Sequence, residues 1–244
     1  MQEEQPVKPA NIANIVATNQ GKLPLTMEIP TARPLTVAQV GDLMAEGHVI
    51  VDTRSSADFG VGHIHGAYHA HLSSPEFEQR VGWVTPLDKP IILVTHHDKD
   101  AQQAIYNMAF IALDSRVTGY LEGGMNAWMD AGKAMESLPQ MDVFTLHDRL
   151  SRNGLQVLDV REDDEYDEGH IEVAKNLSFK RIPSQLDSIA LNKEKPLAIT
   201  CATGKRSSTA ASLLLREGYK EIYNVTGGMA AWESAGFDTV FFEE

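Results

Sequence analysis

The chain has 244 residues, 43% hydrophobic and 23% charged, ordinary proportions for soluble globular protein and a length that allows two cores. A formal net charge of −13 with no basic face argues against nucleic acid and against an anionic membrane, while a small anion stays admissible because a nest of backbone N–H groups binds one inside an acidic protein. The single cysteine excludes an internal disulfide and a second thiol that could resolve a sulfur species on it.

In chain order, residues 1–33 carry Pro6, Pro9, Pro24 and Pro30 and little periodicity, so they are expected to form an arm or linker in which Ile12 to Val16 makes one short helical turn. The first residues, acidic and polar, contain no apolar signal-like run, and no window is long and apolar enough to span a bilayer, so a cytoplasmic location is expected. From Leu35 a pattern begins that occurs twice. In the first copy Thr36 is placed to cap a helix from Val37 to Met44, and a strand over His48 to Val51 runs into Asp52-Thr53-Arg54. Gly62-His63-Ile64 follows, then a strand Pro90 to Val94, then Gly123-Gly124-Met125 with Trp128.

The second copy repeats this order. Thr145 is expected to cap Leu146 to Leu150, and Leu155 to Leu158 runs into Asp159-Val160-Arg161. Gly169-His170-Ile171, the strand Pro196 to Thr200, and Gly227-Gly228-Met229 with Trp232 complete it. Each copy alternates short apolar strands with helices, the pattern of a three-layer α/β/α domain on a mainly parallel sheet. The expected domains are 1–33 (arm), 34–138 and 139–244.

The cysteine lies in Cys201-Ala202-Thr203-Gly204-Lys205-Arg206, a six-residue loop expected between the strand Pro196–Thr200 and a helix over Thr209 to Leu215. A thiol there faces the N–H groups and positive dipole end of a helix start, with Lys205 and Arg206 adjacent, and all of these favour thiolate over thiol. Free cysteine is more often a small core hydrophobe, but Lys and Arg rarely flank a core position and Gly204 suggests a backbone bent around a guest. In open parallel sheets ligands bind outside the carboxyl ends of strands, where this cysteine falls.

The Asp-x-Arg, Gly-His-Ile, Cys-x-x-Gly-x-Arg-Ser and Gly-Gly-Met-x-x-Trp signatures, in this order and twice over residues 35–244, resemble the rhodanese (sulfurtransferase) domain. The resemblance implies a persulfide on Cys201, with loop amides from Ala202, Thr203, Gly204, Lys205 and Arg206 around it, and no cofactor. Its implied partners are a small sulfur donor (thiosulfate, mercaptopyruvate or glutathione persulfide) and a thiol or cyanide acceptor. The proline-rich start, Asn11-Ile12-Ala13, Leu23-Pro24-Leu25-Thr26 and Val81-Gly82-Trp83-Val84 are further similar to the C-terminal part of fusions in which a persulfide dioxygenase precedes two rhodanese domains, so such a dioxygenase is an expected partner. The His-x-His-x-Asp-His metal motif of that enzyme does not occur in this sequence.

The copies differ at the loop. Aligned on Pro90 and Pro196, the first copy has Thr95 at the place of Cys201, then His96-His97-Asp98-Lys99, and Asp100 at the place of Arg206. A threonine hydroxyl carries no transferable sulfur and the carboxylates repel anions, so the first copy is expected to be non-catalytic. Cysteine-dependent phosphatases need five residues between Cys and Arg to wrap a phosphate; here Ala202 to Lys205 give four, which suits a smaller guest.

Among the roles, Cys201 is the expected nucleophile and Lys205 the contact for an anionic donor, while Arg206 points either into the loop or out to a helix carboxylate. Asp159 with Arg161, His170 and Ser207 are expected to support the loop, the first two as a structural ion pair. His63, His65, His69, His71, His96 and His97 raise a metal hypothesis, but no cysteine or well-spaced third ligand accompanies them, and solvated surface histidines with no metal are expected. The rival to an enzyme is a sulfur carrier or interaction module that receives a persulfide from a partner.

Overall fold

A computed structural model of the protein describes residues 11–22, 28–152 and 154–241. The chain divides into two compact units, Met1–Ser55 with His63–Met135, and Ser56–Gly62 with Glu136–Glu244.

The arm holds a helix, α1 (Ile12–Asn19), two turns long where one was expected. Its entry is fixed by the buried Asn11, whose Nδ2 donates to Ile111 O at 2.6 Å. Further on, Gln102 grips the arm at both ends of its amide, accepting from Ala32 N and donating to Pro30 O. The prolines at 6, 9 and 24 and the segment Leu23–Thr26 lie outside the described residues.

Then come β1 (Pro34–Leu35), α2 (Val37–Ala45), β2 (Val49–Asp52), α3 (Ser56–Val61), β3 (Tyr68–His69), α4 (Phe77–Val84), β4 (Ile91–Val94), α5 (Asp98–Ala109), β5 (Val117–Leu121) and α6 (Gly124–Asp130). Thr36 caps α2 as expected, in a reciprocal box with Gln39. Val81 to Val84 is the end of α4, with Val81 and Val84 buried.

The second series is β6 (Gln140–Met141), α7 (Val143–Leu150), β7 (Gln156–Asp159), α8 (Asp163–Asp167), β8 (Ala174–Asn176), α9 (Ile182–Gln185), β9 (Leu197–Thr200), α10 (Lys205–Arg216), β10 (Ile222–Val225) and α11 (Gly228–Ser234). The cap of α7 is Asp142, not Thr145. Its carboxylate accepts from Thr145 N at 2.7 Å, and a charged acceptor at the positive end of the helix outcompetes a hydroxyl three residues on.

Both sheets have five strands, ordered β1-β5-β4-β2-β3 and β6-β10-β9-β7-β8, and every pairing is parallel. Strands covered on both faces read as continuous apolar runs, and β4 and β9 are buried at all four positions. In the second unit Met141, Leu146, Val157, Ala198, Val225, Met229 and Trp232 belong to one core cluster. β9 is the middle strand, so the residue that follows it, Cys201, emerges at the centre of the sheet's carboxyl edge.

The histidines are not a solvated set. His63 and His69 are buried, and β3 ends at His69, so His71 lies beyond the strand. His69 Nε2 lies 3.0 Å from Arg54 O, and burial pushes its pKa down from 6.5 to about 4. Among the described residues no group of three or more His, Cys, Asp or Glu is placed to hold a metal ion. No helix among them is long and apolar enough to cross a membrane.

Candidate functional site

The loop after β9 is four residues long rather than six. Gly204 takes a left-handed conformation (φ 88°), which ends the loop and lets α10 begin at Lys205, so Lys205 and Arg206 are its first turn. A Cβ at Gly204 would stand 3.1 Å from Val225 O and 3.3 Å from Gly227 N, so space and backbone both select glycine.

The left-handed turn aims the Gly204 N–H at Cys201 Sγ, 3.1 Å away. Ser207 Oγ lies 3.4 Å from the same sulfur. Cys201 is 1% exposed, so a charge formed on its sulfur meets the Gly204 N–H in a largely dry site. The loop is held from behind by α11, whose Met229 and Ala230 N–H groups donate to Cys201 O and Ala202 O at 2.8 and 3.0 Å. Gly228 brings α11 this close, since a Cβ there would be 2.1 Å from Cys201 O.

Of the expected cations, Arg206 turns outward. Its Nη1 and Nη2 meet the carboxylate of Glu165 on α8 at 2.5 and 2.6 Å, and this pairing holds Glu165 below the usual carboxylate range. Lys205 Nζ has no hydrogen-bond or ion-pair partner among the described residues. Asp159 and Arg161 form a buried bidentate pair, with Arg161 Nη2 also donating to Gly169 O at 2.7 Å. That bond ties the end of β7 to the Gly-His-Ile turn. His170 stacks on Tyr166 at 3.6 Å, and its backbone bridges to Val240.

Two residues were not anticipated. Asn224, buried in β10, accepts from Ser207 Oγ at 2.6 Å, and Gln140 in β6 accepts from Asn224 Nδ2 at 2.8 Å. An asparagine three residues before Gly227, inside an apolar strand, was the available signal.

The equivalent loop in the first unit differs. Asp98 stands at the place of Gly204 but is helical, the first residue of α5. Its Oδ1 accepts from Gly123 N at 3.0 Å, while Asp100 Oδ2 accepts from His97 N at 3.1 Å. Thr95 is 1% exposed and its Oγ1 has no hydrogen-bond partner.

These features define an α/β domain with a buried cysteine poised at the sheet's carboxyl edge, built twice with only one cysteine. The rhodanese-like domain profile matches residues 36–131 and 143–235, and the chain belongs to the rhodanese family, with two such domains in tandem. It is 36% identical over 115 residues to Protein HIGH ARSENIC CONTENT 1, mitochondrial, of Arabidopsis thaliana, a match spanning 43% of this chain and 68% of that one. With the thiosulfate sulfurtransferase GlpE of Coxiella burnetii it shares 34% identity over 85 residues, 35% of this chain and 78% of that protein. A putative sulfur carrier protein of Bacillus subtilis, YrkF, is 30% identical over 97 residues, 39% of this chain and 51% of the carrier.

Proposed function

We propose that the protein is a sulfurtransferase active through its second domain, with Cys201 as the nucleophile and the first domain non-catalytic. The observation that carries this is the convergence of Gly204 N–H and Ser207 Oγ on the Cys201 sulfur, against an unpartnered hydroxyl at Thr95. In the forward half-reaction the Cys201 thiolate attacks the outer sulfur of thiosulfate, the S–S bond breaks, and sulfite leaves with the bonding pair while the enzyme becomes a persulfide anion. The Gly204 amide, 3.1 Å from Sγ, stabilises the attacking thiolate, and Lys205 is the cation available to the donor's sulfonate. Cyanide or a thiolate then takes the outer sulfur and returns Cys201 to thiolate. Glutathione persulfide gives up its outer sulfur in the same way, glutathione thiolate leaving with the bonding pair, whereas mercaptopyruvate gives its sulfur by C–S cleavage, the enolate of pyruvate leaving with the bonding pair.

Intact mass after incubation with each donor tests the reading. The wild type gains one sulfur and turns over with cyanide, Cys201→Ala gains none, and Thr95→Ala behaves as wild type. Equal loading of Cys201→Ala overturns it. Similarity to a named carrier supports a second reading, in which Cys201 is loaded by a partner such as a persulfide dioxygenase. In that case small donors load the sulfur once and turnover stalls.

A further inference from the structure

Ser207 has one hydroxyl proton and two neighbours that can take it, Cys201 Sγ at 3.4 Å and Asn224 Oδ1 at 2.6 Å. The choice is made at the far end of a chain of amides. The backbone carbonyl of Leu138 can only accept, so Gln140 presents its Nε2 there, at 2.8 Å. This turns Gln140 Oε1 to Asn224 Nδ2, at 2.8 Å, and leaves Asn224 Oδ1 facing Ser207. The Ser207 proton therefore belongs to Asn224, and the sulfur meets a serine lone pair.

We infer that Gln140 and Asn224 are positioning residues that set the protonation preference of Cys201 through the direction of the Ser207 hydroxyl, an inference that rests on Cys201 being the nucleophile. In the resting site the thiol donates its proton to Ser207 Oγ while Ser207 donates to Asn224. When the thiol proton leaves to water, the sulfur anion faces that lone pair until the hydroxyl rotates. Rotation gives the anion a second donor beside Gly204 N–H and takes one from Asn224 Oδ1. The chain thus turns a serine lone pair to the idle sulfur, and yields its hydroxyl when charge is present there.

The first unit supplies the contrast. The ladders pair Leu93 and Pro34 with Tyr120 where the second unit pairs Ile199 and Gln140 with Asn224. Proline and tyrosine thus replace the two amides, and by the Pro90 and Pro196 alignment Ala101 replaces Ser207 and Thr95 replaces Cys201. No chain of this kind can form there.

The test is the pH profile of Cys201 alkylation by iodoacetamide. Gln140 is exposed on an edge strand and never touches the sulfur, so Gln140→Ala keeps the site intact. It frees Asn224 to turn its Nδ2 to Ser207, which sends the serine proton to the sulfur. Gln140→Ala and Asn224→Ala are both expected to move the profile's midpoint down by about half to one pH unit, the scale of one hydrogen bond. In a Ser207→Ala background neither has any further effect. An unmoved midpoint in Gln140→Ala, or the same movement without Ser207, overturns the inference, and Gln140→Ala decides alone if Asn224→Ala does not fold. Alkylation does not read sulfur transfer, so the expected shifts in a protein that gains no sulfur from any donor would overturn the sulfurtransferase reading and leave this one standing.

Discussion

Thr95 and Cys201 follow the equivalent middle strands, β4 and β9, of the two sheets, yet one side chain is buried with no partner and the other accepts a backbone amide and lies beside a hydroxyl. The difference lies three residues further on. Gly204 is left-handed and gives its N–H to the sulfur, whereas Asp98 is helical and spends its carboxylate on Gly123. On the proposed reading, the centre needs a residue able to enter left-handed space, and not only a sulfur atom.

The largest expected break in this comparison comes from the glycines beneath each loop. Both Gly228 and Gly124 have positive φ (55° and 57°), but an added Cβ would lie 2.1 Å from Cys201 O in one and 2.9 Å from Thr95 O in the other. Gly228→Ala is expected to lose about 4 kcal/mol in urea unfolding and to displace the cysteine loop, with Gly124→Ala losing about 2 kcal/mol. Equal losses would mean the two loops bear on their helices alike.

Acid should separate the units next. His69 pairs across the ladder with Asp52 where Asn176 pairs with Asp159. Burial keeps the His69 ring neutral to about pH 4, whereas the unfolded chain takes up the proton near 6.5. The folded pKa is the lower one, so stability is full above 6.5 and declines as pH falls toward 4, by up to about 3 kcal/mol. His69→Asn should remove that decline, measured as the pH dependence of unfolding.

Rebuilding the first loop sharpens the contrast further. Thr95→Cys alone should give a sluggish thiol, and Thr95→Cys with Asp98→Gly one alkylated about tenfold faster, the worth of one amide bond to a thiolate. Identical rates would remove Gly204 from the account. The smallest effect belongs to Glu165→Gln. The partly buried pair with Arg206 contributes at most about 1 kcal/mol after solvent screening. Because Arg206 holds Glu165 below its ordinary pKa of 4.5, that contribution is present above 4.5 and lost as pH falls through the lower folded value. The substitution should flatten this acid limb.

What could be read from residues alone was local or repeated. The Thr36 cap, the strands into Asp-x-Arg and the cysteine at a strand end follow from short-range patterns, of which the second copy repeats the strands but not the cap, taken there by Asp142 in place of Thr145. The Lys205 helix start was hidden because a left-handed glycine shortens the loop without any change in composition. Gln140 and Asn224 were hidden for a different reason. They meet only because β6 lies beside β10, a neighbour relation across 84 residues that no local pattern carries. Arg206 stayed open between two directions until the position of α8 placed Glu165 in its reach.

The Asp98 carboxylate on the Gly123 amide has one more consequence. A carboxylate carried by the same chain, 25 residues from the amide it occupies, competes at an effective concentration in the millimolar range or above, which a freely diffusing anion at cellular levels does not match. On the reading that the first domain is non-catalytic, its loop carries its own plug, and a change at Asp98 would have to accompany any change of the threonine.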